Sequence, residues 1–139
     1  MKTHAGDIVL DLPGNWDDDS NYVYRKVADD IEVTVEYAPA QPGATPDMLL
    51  DDIEARLKKL PGVTTMVRSD GATLHWQGRV LSIGVRGDAE DDSMIEVLVF
   101  KLAPTRSVVI TATAPARQAT KLAAAWKHIL GSLLPTTLP

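Results

Sequence analysis

The chain contains no cysteine, which excludes disulfides, thiolate nucleophiles and zinc–thiolate centres. It lacks a basic surplus: 14 Lys and Arg stand against 19 Asp and Glu, for a net charge of -5. The basic residues are scattered singly or in pairs, so no concentrated face exists for phosphates, and nucleic-acid partners are not expected. Long apolar runs are missing too. The uncharged stretch Ser107–Ala116 contains Pro115 and falls well short of the roughly 20 residues a membrane span needs. The N-terminal Met-Lys-Thr-His-Ala-Gly-Asp has no apolar signal core. A cytoplasmic protein without stable membrane insertion is expected. Aromatic residues make up only 5% of the chain, with a single Phe.

Catalytic and ligand-binding motifs are equally scarce. His4, His75 and His128 have no partner at helical metal-ligand spacing. Ser132 sits in Leu-Gly-Ser-Leu-Leu, which lacks the second glycine of a nucleophile elbow. Gly84 and Gly87 flank a strand end without the basic residue of a phosphate loop. The acidic groups Asp17–Asp19 and Asp88–Asp92 invite a calcium reading, and Asp88, Glu90 and Asp92 even alternate. The loop glycine and distant bidentate glutamate of an EF-hand are missing, however, and solvated hairpin tips are the expectation. No enzyme site, metal or cofactor is expected.

What is present is a series of patterned elements in one domain covering residues 1–139. Ile8, Leu10 and Leu12 alternate with Asp7, Val9 and Asp11, the period of a half-buried strand, and Pro13-Gly14-Asn15 stops it. Trp16 then follows as a plug for one sheet end, and the remaining strands are expected beside this first one. Asn21–Val27 reads as a second strand, with Tyr22, Tyr24 and Lys26 on one face and Val23, Arg25 and Val27 on the more ordinary core face. Ile31–Ala38 is a third, its apolar face Ile31, Val33, Val35 and Tyr37.

Thr45-Pro46-Asp47 opens a helix whose stripe is Met48/Leu49, Ile53, Leu57 and Leu60, and Pro61-Gly62 closes it. A meander follows: Thr64–Ser69, a turn or bulge at Asp70-Gly71, Ala72–Trp76, a turn at Gln77-Gly78, then Arg79–Arg86. Met94–Leu102 is apolar on both faces and reads as a central strand. Ser107–Ala114 is the last strand. A helix from about Arg117 to Leu134 carries Leu122, Trp126, Ile129 and Leu133 on one stripe, and Pro135–Pro139 is a frayed tail. The order predicts an α+β fold, a single antiparallel sheet of about six or seven strands with two packed helices. Two helices cannot cover both faces of such a sheet, so one face is left for solvent, a second subunit or a ligand.

Five residues stand out as partner-binding candidates: Tyr22, Tyr24, Met94, Glu96 and Leu98. The tyrosines share a predicted strand face. They either cover neighbouring elements or line an open apolar groove, where a rigid aromatic body with a polar tip suits binding. Met94, Glu96 and Leu98 belong either to the core or to a groove floor.

The segment Ile-Val-Leu-Asp-Leu-Pro-Gly-Asn-Trp-Asp-Asp, with Asn21 opening the next strand, resembles the start of the DUF1795 family. This DcrB-like group includes the Eag chaperones of bacterial type VI secretion. The Pro39–Pro46 loop leading to Leu60-Pro61-Gly62 resembles the family's middle. Val-Ile-Thr-Ala-Thr-Ala-Pro from Val109, then a helix bearing Trp126, resembles its end. The resemblance implies a DcrB/PsbP/Mog1-like fold and a cytosolic homodimer with a concave sheet surface. That surface would hold the N-terminal hydrophobic helices of an effector protein until loading. Branched aliphatic residues after the strand-opening Asn contribute to the groove in that family; Tyr22 and Tyr24 occupy the matching positions here. Two other readings are a general DcrB/PsbP-like interaction module and a small enzyme with an apolar pocket.

Overall fold

The computed structural model describes residues 1–87 and 92–136. Its main feature is a seven-stranded antiparallel sheet in the order β3-β4-β5-β9-β8-β7-β6. The strands are β3 (Asp17–Asp18), β4 (Val23–Lys26), β5 (Ile31–Pro39), β6 (Val63–Ala72), β7 (Gln77–Val85), β8 (Ser93–Ala103) and β9 (Arg106–Pro115). A second, three-stranded sheet joins β1 (Lys2–His4), β2 (Ile8–Asp11) and β10 (Leu134–Pro135) in the order β1-β2-β10. Helix α1 is Pro46–Leu57 and α2 is Ala119–Ser132.

The α+β class and the two helices are as the sequence predicts, but the first strand does not seed the main sheet. Ile8, Leu10 and Leu12 are fully buried as their alternation requires. Yet β2 pairs with β1 on one side and with β10 on the other. The tail expected to fray therefore contributes Leu134 and Pro135 to a sheet edge.

Each sheet face carries its own helix, so no whole face is left bare. On one face α1 buries Leu50 against Leu81, Ile83, Val97, Val99 and Val109. Its packing stripe is rotated from the predicted one: Leu49, Leu50, Ile53 and Leu57 face the sheet, whereas Met48 and Leu60 are exposed. Arg68 clamps this helix from β6, donating to Asp47, Asp51 and Glu54 at 3.3, 2.8 and 2.9 Å. Arg79 adds a bond to the same Asp47 at 3.0 Å.

On the other face α2 buries Leu122, Ala125, Trp126 and Ile129, as its stripe predicts, together with Leu133 after its end. The small sheet completes this roof with Ala5, Ile8, Leu10 and Leu12. Tyr37 ties the roof to β5. Its hydroxyl donates to the Ala5 carbonyl and accepts the Asp7 N–H at 2.9 Å. The Arg106 guanidinium lies 4.1 Å from the Tyr37 ring centroid and pairs with Asp7. Gly6 (φ +69°) is pressed so close to this ring that a Cβ would meet the hydroxyl at 2.7 Å.

Candidate functional site

Cross-strand register decides which side chains line up on the α2 face. One row runs Tyr24, Val33, Ala112, Glu96, Ser82 and Val67 across β4, β5, β9, β8, β7 and β6. Tyr24, Val33 and Ala112 are buried under the roof; Glu96 and Ser82 are half-buried, and Val67 is 61% exposed. The next row repeats the gradient: Ile31 and Ala114 are buried, Met94 and Gly84 half-buried and Thr65 exposed. The roof therefore ends beyond β9 and leaves a strip of β8, β7 and β6 open. At the far end Trp76 closes the strip. Its ring meets Phe100 at a tilt of 31° with centroids 5.7 Å apart, and a Cβ on Gly71 would lie 3.2 Å from it.

The strip has a low floor. Ser82 and Gly84 carry a small side chain and none, and a Cβ on Gly84 would strike the Thr65 hydroxyl at 2.7 Å. Met94 and Val67 supply apolar surface, and the Ser82–Glu96 pair is the polar point within it. The Ser82 hydroxyl donates to Glu96 Oε2 at 2.5 Å. Burial pushes the Glu96 carboxyl above its ordinary range, and the Ser82 hydrogen bond offsets only part of that rise. No cation is among its hydrogen-bond or ion-pair partners in the described residues.

Met94, Glu96 and Leu98 thus share one face, Leu98 as buried floor and the other two accessible. The tyrosines do not complete a groove with them. Tyr24 lies in the Glu96 row but three strands away, ~14 Å, and only 1% of it is exposed. Tyr22 is not in the strand at all. Ser20, Asn21 and Tyr22 adopt left-handed backbone with φ of 69°, 53° and 61°, and β4 begins at Val23. Tyr22 is 39% exposed and meets Tyr37 edge-on at 6.3 Å between centroids. The expected core face of this segment is also reversed. Val27 begins a 3-10 turn and is 69% exposed, and the β4 residue that enters the core is Tyr24.

The sequence reading missed Val67, Ser82, Gly84 and Trp76 as parts of one surface. It breaks the chain at Asp70-Gly71, whereas β6 continues through both residues and the turn comes later, with Thr73 N–H bonded to the Trp76 carbonyl at 2.9 Å. A Gly followed five residues later by a Trp across a hairpin was the available signal, since an indole can lie flat on a residue without a side chain.

Elsewhere, residue types of a nucleophilic triad do meet. Asp11 Oδ2 is 2.7 Å from His128 Nε2, and Ser132 accepts the Asp11 N–H at 2.9 Å. The serine hydroxyl donates to the Ile129 carbonyl at 2.9 Å, so its proton is committed to the helix and not to the imidazole. His128 and the N-terminal amine hold the Asp11 carboxyl below its usual range. His75 lies in the exposed β6–β7 turn. Among the described residues no three His, Asp or Glu side chains could jointly hold a metal ion. Asp17 and Asp18 form the short β3 and Asp19 pairs with Arg25; of the second acidic group, 88–91 lie outside the described residues. No helix among the described residues is long and apolar enough to cross a membrane.

The same fold occurs in two solved structures. LpqN, involved in cell envelope biogenesis of Mycobacterium tuberculosis, superposes with a TM-score of 0.70 at 16% identity, covering 99% of this chain and 90% of its own. PA94, a protein of unknown function from Pseudomonas aeruginosa, superposes with a TM-score of 0.62 at 17% identity, covering 99% and 98%. No protein-family model and no curated protein matches the sequence. These likenesses establish the fold; the DUF1795 resemblance rests on its sequence segments.

Proposed function

We propose that the chain is a non-enzymatic protein-binding module that holds an apolar helical segment of a partner against the open strip of β6, β7 and β8. The observation that carries this reading is the accessible floor at Met94 and Val67 on a face whose β4, β5 and β9 rows are sealed. Apolar surface left in water costs about 25 cal/mol per Å², and a partner helix recovers that free energy by covering it. The small residues Ser82 and Gly84 let a helix backbone come close. Ser82 and Glu96 offer hydrogen bonds to polar groups that such a helix would otherwise bury unpaired.

In its finer form, this module is a cytoplasmic chaperone or adaptor. Its client is a type VI secretion effector with N-terminal hydrophobic helices, which it keeps from aggregating until loading. The DUF1795 resemblance supports that form, and the α+β fold agrees with it.

The test is binding of a synthetic helix of about 20 Leu and Ala residues with lysine ends, followed by fluorescence anisotropy. Saturable binding weakened at least tenfold by Met94→Asp and by Val67→Asp is expected, with no binding to a peptide whose leucines are serines. Absent binding, or variants that bind like the parent, would overturn the proposal.

A further inference from the structure

We propose that the segment held by the open strip carries one cationic side chain, a lysine or arginine, within its apolar run, and that Glu96 selects it. This rests on the reading above, that the strip receives an apolar helix, and names what that helix contains. Glu96 is half-buried within β8. Met94 and Leu98 flank it on the same strand face, and Ser82 and Ala112 lie opposite it on β7 and β9. None of these is charged, and the diagonal positions 80, 84, 110 and 114 are uncharged too. Ser82 donates to Oε2, whereas Oε1 has no hydrogen-bond or ion-pair partner among the described residues.

The chain's own cations are committed elsewhere. Arg68 on β6 and Arg79 on β7 project to the α1 face and pair with Asp47. Arg106, at the start of β9, pairs with Asp7. On the roof, Arg117 pairs with Asp30, Lys121 with Asp29 and His128 with Asp11, and Lys127 is exposed. In water the Glu96 carboxylate is solvated. An apolar helix laid over the strip removes that water, and a buried charge is costly unless it is paired and hydrogen-bonded.

The surroundings fit a long cationic side chain. Gly84, diagonal to Glu96, leaves a gap beside the carboxylate. Met94 and the exposed Val67 offer apolar surface to a methylene stem while its charged head reaches Oε1. Burial already pushes the Glu96 carboxyl above its ordinary range, and a partner's cation would reverse that shift.

Two helices of about 20 Leu and Ala residues with lysine ends test this, one with a central lysine and the other with norleucine there. Norleucine keeps the stem and removes the charge. At about pH 7 the parent should bind the central-lysine helix about tenfold more tightly or better, read by fluorescence anisotropy. At about pH 4 protonation of Glu96 should weaken the lysine helix and strengthen the norleucine one. Glu96→Gln keeps a hydrogen-bonding group for Ser82 and discards the charge. It should bind the norleucine helix at least as tightly as the lysine one at both pH values. A parent without the lysine preference, or a preference that survives Glu96→Gln, would overturn the proposal and leave the strip's role as a helix-binding surface standing. Failure to bind either helix would overturn both.

Discussion

Ser82 and Glu96 face each other across β7 and β8, hydroxyl to carboxylate at 2.5 Å, at the point where the roof over the α2 face stops. Because burial raises the Glu96 carboxyl above its ordinary range in the folded protein, the group adds stability at pH below its unfolded value. That contribution is lost as pH rises through the folded value. Glu96→Gln should therefore raise the melting temperature at neutral pH by about 1–2 °C. The difference should vanish below the ordinary glutamate range, about pH 4. Thermal melts of both proteins across pH check this.

Arg68 holds three carboxylates of α1 from a strand on the sheet. Exposed ion pairs contribute little singly, but this one is a shared network around a guanidinium that is largely covered. Arg68→Met should destabilise by on the order of 1 kcal/mol at low salt, and by less at high salt as screening relieves the unpaired carboxylates. Urea titrations at two ionic strengths measure both terms.

The two tyrosines should behave oppositely on substitution. Tyr24→Ala empties a buried aromatic site and should cost about 3–5 kcal/mol. Tyr22→Gly relieves a left-handed backbone that costs a non-glycine residue about 1–2 kcal/mol, against the loss of its edge contact with Tyr37. Chemical denaturation should find Tyr22→Gly within about 1 kcal/mol of the parent and Tyr24→Ala far below it.

Gly62, after α1, has φ +88°, and a Cβ there would sit 2.2 Å from the Arg86 carbonyl oxygen. The same turn carries the Arg86 N–H to Gly62 carbonyl bond at 2.6 Å. Gly43, at φ +85°, has nothing within 4 Å. Gly43→Ala should cost about 1–2 kcal/mol from backbone conformation alone, and Gly62→Ala at least about 1 kcal/mol more from the clash. Melting temperatures of the pair give the contrast.

Local patterning carried most of the elements. The alternation in Ile31–Ala38 and the Leu122–Trp126–Ile129–Leu133 stripe each state their own buried face, and each is where the pattern puts it; Thr45-Pro46 marks where its helix starts but not the rotation of its stripe. Pairing across long separations was not legible. Nothing in Lys2–His4 or Leu134–Pro135 announces that these segments flank β2, because edge strands this short have no room for a pattern. Tyr22 went wrong for a related reason. Period-two alternation continues through it, but Ser20-Asn21 has the turn chemistry that lets a left-handed segment form, and the strand starts one residue later. Parity alone puts Met94, Glu96 and Leu98 on one face of β8, and the strand register agrees. Which part of that face lies open depends on where α2 and the small sheet end, and that is set by tertiary packing.

The central claim, that the strip of β6, β7 and β8 receives an apolar segment, is tested most directly by methyl-labelled methionine NMR. The chain has four methionines: Met94 lies in the strip, Met66 packs on the α1 face, Met48 is exposed on α1, and Met1 borders β1. Adding the Leu/Ala helix should move the Met94 signal in a saturable way and leave Met66 and Met48 in place. Shifts at Met66 or Met48 with Met94 unmoved would contradict the account.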